Sequence, residues 1–83
     1  MITLLDACKI IRELYDPSLV IGSIVDIGRG WVISTVYKDT GAPLLVSPDI
    51  VYKETGTVEC YHLPDEKHFQ ELAEGKELPV PVH

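Results

Sequence analysis

Apolar residues recur at helical spacing near the start of the chain. Leu4, Ala7, Cys8, Ile11, Leu14 and Tyr15 share one face, and Asp6, Lys9 and Glu13 share the opposite one. The spacing predicts an amphipathic helix from Thr3 to Tyr15. Thr3 followed by Asp6 forms a capping-box pattern with Asp in place of the usual Glu, and Asp6 also suits the positive helix end. Asp16-Pro17 ends the helix, because the residue before a proline disfavours the α region. The period then changes. Leu19 to Ile27 and Trp31 to Tyr37 are rich in Val and Ile and flank Gly28-Arg29-Gly30, which predicts a hairpin. In the second run Trp31, Ile33, Thr35 and Tyr37 fall on one side, and Val32, Ser34 and Val36 on the other. Both sides are partly apolar, so the pattern alone does not select a core face.

Lys38 to Pro43 reads as a turn. Leu44 to Val46 is a short apolar run broken by Ser47-Pro48. It reads as an edge strand or as a loop, since proline cannot donate to a ladder. Asp49 to Tyr52 and Thr57 to His62 flank Lys53-Glu54-Thr55-Gly56. This fits a type I turn closed by Gly56 in the left-handed region, hence a second hairpin. Leu63-Pro64-Asp65 opens a second helix with Asp65 as its cap, Phe69, Leu72 and Ala73 as its apolar stripe, and Gly75 as its terminator. Residues 79–83 are expected to be an extended, loosely held tail on a single domain spanning 1–78. The expected class is α+β: an antiparallel sheet of about four strands in two hairpins, with an N-terminal helix and a short C-terminal helix packed on it. Helices on one face would leave the other open as a docking surface.

Charge narrows the partners. Thirteen acids against seven bases give a formal net charge of -6, with no run of like charge. Such a field repels nucleic-acid phosphates and anionic lipid, and favours a basic partner or simply solubility. The opening Met1 to Asp6 does not read as a signal peptide, and no stretch approaches the roughly 18 apolar residues of a membrane span. Cys8 and Cys60 belong to no metal-type or CxxC cluster and are expected as buried free thiols, with Cys60 pointing inward. A reducing cytoplasm is the natural compartment. Nothing in the pattern sets an oligomeric state.

Candidate chemistry is sparse. His62, Asp65 and His68 flank a strand-to-helix junction, but their spacing fits no strong zinc pattern. Gly28-Arg29-Gly30 lacks the lysine and following helix of a phosphate loop. No histidine is placed by motif to activate Ser47, Cys8 or Cys60. No catalytic residue, metal or cofactor is therefore expected, and the chain reads as a binder rather than an enzyme. Trp31, Tyr37, Tyr52 and Tyr61 lie on predicted strands, as core or as interface anchors. Lysine and arginine are too few and too scattered to support base stacking with phosphate contacts.

The stretch from Ser47 to Val58, Ser-Pro-Asp-Ile-Val-Tyr-Lys-Glu-Thr-Gly-Thr-Val, resembles the Gly-Pro-Ile-Ile-Val-Asp-Lys-x-Thr-Gly-x-Val signature of the immunity protein 35 family. Gly30-Trp31 resembles that family's Gly-Trp at the start of an upstream strand. Ser47 stands where the family has Gly, and Tyr52 where it has Asp. The resemblance implies a small bacterial α+β protein that neutralises a cognate polymorphic toxin by binding it. On that reading Trp31 and Tyr61, then Tyr37 and Tyr52, anchor the interface, and Asp49, Glu54 and Glu59 meet basic toxin residues. The alternative class is a chaperone-like or stress-protective protein that holds many clients.

Overall fold

Thr3 sets the start of the first helix. Its hydroxyl accepts from the Asp6 amide at 3.2 Å, and the Asp6 carboxylate accepts from the Thr3 amide at 3.1 Å, so the capping box closes in both directions. The computed structural model describes residues 1–42, 47–62 and 65–80. In it this helix, α1, runs Leu4–Leu14 and buries Ala7, Cys8 and Ile11. The strands are β1 (Leu19–Asp26), β2 (Gly30–Tyr37), β3 (Asp49–Tyr52), β4 (Val58–Cys60) and β5 (Lys76–Leu78), and the second helix, α2, spans Glu66–Glu74 between β4 and β5. The run Leu44 to Val46 lies outside the described residues.

The strands form one five-stranded antiparallel sheet in the order β4-β3-β2-β1-β5. Both expected hairpins are present. The fifth strand is an addition to the sequence reading: Lys76–Leu78 pairs with β1, Ile24 opposite Leu78. Three residues between Gly75 and Pro79 carry too little alternation to announce a strand. Leu78 and Val80 also pack against the core, so part of the segment expected as a loose tail is tied down. Because β4 and β5 sit at opposite edges of the sheet, α2 is a strap that crosses from one edge to the other.

The two helices cover opposite faces. On one face α1 packs against Ile21 and Ile24 of β1, Trp31 and Ile33 of β2, and Val51 of β3. On the other, Val32, Ile50 and Tyr61 are buried together, with Val25, Ile27, Tyr52 and Leu72 of α2 packed around them. The expectation of one face left open as a docking surface is corrected here: Leu72 of α2 packs on the second face. This arrangement also explains why β2 resists assignment from its pattern: consecutive residues from Trp31 to Ile33 are buried on alternate sides. A bulge in β1 between Ile21 and Ser23 resets the alternation, so that Ile21 and Ile24, three residues apart, reach the same side.

β2 and β3 approach closely at Gly30. A Cβ there would lie 2.6 Å from the Val51 carbonyl oxygen, which is backbone and cannot swing away. Gly30→Ala is expected to lower stability by about 2 kcal/mol, within the range for overpacking, as read from the urea midpoint. An unchanged midpoint would contradict this close approach.

Candidate partner-binding site

Three chain segments converge at the end of the sheet where β2 begins. The turn after β3 is closed by Gly56 at a φ of 74°, with its amide donating to the Tyr52 carbonyl at 2.8 Å. A Cβ there would only touch Ile2 and Ile10 at ordinary van der Waals distance, so the left-handed φ is what calls for glycine. The Lys53 carbonyl accepts from the Ile2 amide at 2.8 Å, and the Lys53 amide donates to the Arg29 carbonyl at 3.2 Å. The Lys53 ammonium reaches both Asp26 carboxylate oxygens at 2.9 Å and lies 5.2 Å from the centre of the Trp31 ring. Asp26 also accepts from the Gly28 amide at 2.8 Å.

Beside this knot, Gly28, Arg29, Tyr52, Glu54 and Thr55 line a shallow hollow. Arg29 sits 5.6 Å from the centre of the Tyr52 ring and donates to the Tyr52 hydroxyl at 3.2 Å. Its other nitrogens grip Glu71 of α2 in a bidentate pair, Nε to Oε2 at 3.0 Å and Nη2 to Oε1 at 2.9 Å. The Tyr61 hydroxyl donates to the same carboxylate at 2.8 Å. Arg29 holds the Glu71 carboxyl below its usual range, and burial, then Glu71, pushes the Tyr61 phenol up to about 12.

The sequence-predicted anchors divide by burial. Trp31 and Tyr61 are 7 % and 1 % exposed, which removes the two leading candidates from any surface a partner can touch. Trp31 belongs to the α1-facing core and Tyr61 to the α2-facing one. Tyr37 is exposed at the far end of β2. Asp49 is half-buried and accepts from the Tyr15 hydroxyl, whose phenol is pushed up to about 12 by burial and then by that carboxylate. Tyr52 and Glu54 share the hollow, and Glu59 is exposed on the edge strand β4. The structure thus brings Tyr52 and Glu54 together and leaves Tyr37, Asp49 and Glu59 outside the hollow. Arg29 also lines the hollow and is not among the residues expected there from the sequence. Its signal was weak, being one cation in a turn that packing with α2 alone makes significant.

The remaining candidates have local roles. The Asp65 carboxylate accepts from the Lys67 amide at 2.9 Å and caps α2 as expected. His68 Nδ1 donates to the His62 carbonyl at 2.7 Å, and its ring stacks on Tyr61 with centroids 4.2 Å apart. Cys8 is buried and burial raises its thiol pKa. Cys60, expected to point inward, is exposed: it ends the three-residue edge strand. Among the described residues no helix is long and apolar enough to cross a membrane.

No family model, curated protein or solved structure matches the chain. The signature residues are nonetheless accounted for physically. Ile50, Val51 and Val58 pack in the two cores, Lys53 ties Asp26 to Trp31, and Gly56 closes the turn. These residues build the domain, and the positions around them are the exposed ones.

The Lys53 contact has a pH signature. Its hydrogen bond, followed by that of the Gly28 amide, holds the Asp26 carboxyl below its ordinary value. An unfolded Asp titrates near about 3.9. Because the folded value is lower, the contribution is complete above the unfolded value and is lost as pH falls through the folded one. Lys53→Met is expected to lower the urea midpoint at neutral pH and to flatten the loss of stability on acidification. An acid limb identical to that of the unaltered protein would show that Asp26 does not owe its low pKa to Lys53.

Proposed function

We propose that this chain is an immunity protein that binds a cognate bacterial toxin domain in the cytoplasm and blocks it, acting as a binder and not as an enzyme. One observation carries the reading. The two parts of the signature, Gly30-Trp31 and the Pro48–Val58 stretch, are distant in sequence but form a single contact unit, with Gly30 set against the Val51 carbonyl and Lys53 over Trp31. That proximity supports taking the two stretches as one unit and not as separate pieces of turn chemistry. The net charge of -6 favours a basic partner and fast, electrostatically steered association. With Trp31 and Tyr61 internal, the accessible candidates are Tyr52 and Glu54 at the hollow, then Glu59 and Tyr37.

The test is co-expression of the chain with each protein encoded beside its gene. The expected result is relief of growth arrest by one neighbour, a stoichiometric complex with it, and an association rate that falls with salt. Tyr52→Ala, with the fold checked by circular dichroism, is expected to weaken that complex by about 2 kcal/mol, the loss typical of an anchor residue. If no neighbouring product is toxic and relieved, or if the chain captures many unrelated proteins at low stoichiometry, the reading fails. The second outcome favours the chaperone-like alternative.

A further inference from the structure

The two helices are held by different forces. α1 buries three side chains completely in the core. α2 buries none, and Leu72 is its apolar contact with the second core. Phe69, expected on the apolar stripe of α2, is instead 62 % exposed. Beyond Leu72, α2 is held by the His68 ring stacked on Tyr61 and by a polar cluster. Glu71 receives the bidentate pair from Arg29 and the hydroxyl of Tyr61, and the Tyr61 hydroxyl also lies 3.1 Å from the His68 carbonyl. The ion pair is not deep: the Arg29 and Glu71 side chains are 43 % and 29 % exposed. Beneath α2 lie Val32, Ile50 and Tyr61, each at most 2 % exposed.

An element with one apolar contact and one ring stack, otherwise fastened by a partly solvated polar cluster over a face made of apolar side chains, is poised to move separately from its support. Both ends of α2 are pinned elsewhere. Before it, the Tyr61 amide donates to the Pro48 carbonyl at 2.8 Å, and after it β5 pairs with β1. Opening therefore leaves the sheet intact. We propose that α2 is a latched strap: it lifts from the second sheet face as a unit while α1 and the sheet stay folded, and the Glu71 carboxylate held between Arg29 and Tyr61 is the latch. Lifting uncovers Val32, Ile50 and Tyr61, which are otherwise sealed. Glu71→Gln keeps the shape of the side chain but removes the charge that makes both the bidentate pair and the phenol hydrogen bond strong.

Native-state hydrogen exchange on the whole chain, in low urea below the unfolding transition, tests this. The amides from Gln70 to Glu74 are expected to share one exchange rate, at least tenfold faster than the amides of β2 after correction for intrinsic rates. Their rate is expected to rise with urea on a slope clearly smaller than that of β2, because lifting exposes only part of the surface that global unfolding exposes. Glu71→Gln is expected to speed α2 exchange several-fold further. Equal rates and equal urea slopes for α2 and β2 would overturn the proposal, because the strap would then open only when the domain unfolds. A gradient of rates along α2 would overturn it as well, since that is end fraying. An unchanged α2 rate in Glu71→Gln would remove Glu71 as the latch, and if that variant does not fold, the urea slopes of the unaltered protein decide the matter.

Discussion

β2 is apolar on both sides, and the need to cover both sides shapes the rest of the molecule. Trp31 and Ile33 face α1, while Val32 between them faces α2. Burying one such side chain contributes on the order of 2 kcal/mol, so neither face of the central strand is left to water without a large loss. The described residues include two helices. The chain spends α1 on one face, fastened by apolar packing, and uses α2 as an edge-to-edge crossover for the other. The bulge in β1 serves the same constraint, because it returns Ile21 and Ile24 to a single side.

The same constraint separates the residues that make the fold from those free to act. The most sequence-distinctive positions, Gly30, Trp31, Lys53 and Gly56, are committed to packing two hairpin ends against each other. Lys53 pairs with Asp26 over an aromatic ring, and Arg29 pairs with Glu71 against Tyr52, so charges that look isolated in sequence are largely internal matters of the domain. What is left on the surface is the rim of the hollow around Tyr52 and Glu54, and scattered acids such as Glu59.

Local chemistry was legible in the sequence where it is self-contained. The Thr3–Asp6 box, the Asp65 cap, both hairpins and the left-handed Gly56 depend on residues within a few positions of one another, and each is found. What was not legible depends on distant partners. β5 is recognisable as a strand only because β1 has a free edge for it. Cys60 alternates correctly with Val58 yet is exposed, because alternation sets a side and not how far the cover extends. Trp31 and Tyr61 carry the composition of interface anchors, but a sheet covered on both faces turns them into core. Arg29 gains its role from Glu71, 42 residues away.

The central claim is that α1 and α2 lie on opposite faces of one sheet, and side-chain nuclear Overhauser effects test it most directly. The account predicts cross-peaks from Ile11 to Ile33 or Val51, and from Leu72 to Val32 or Ile50, with neither helix reaching the other's set. Cross-peaks from both helices to the same residues would contradict it, placing the two on one face and leaving the other open.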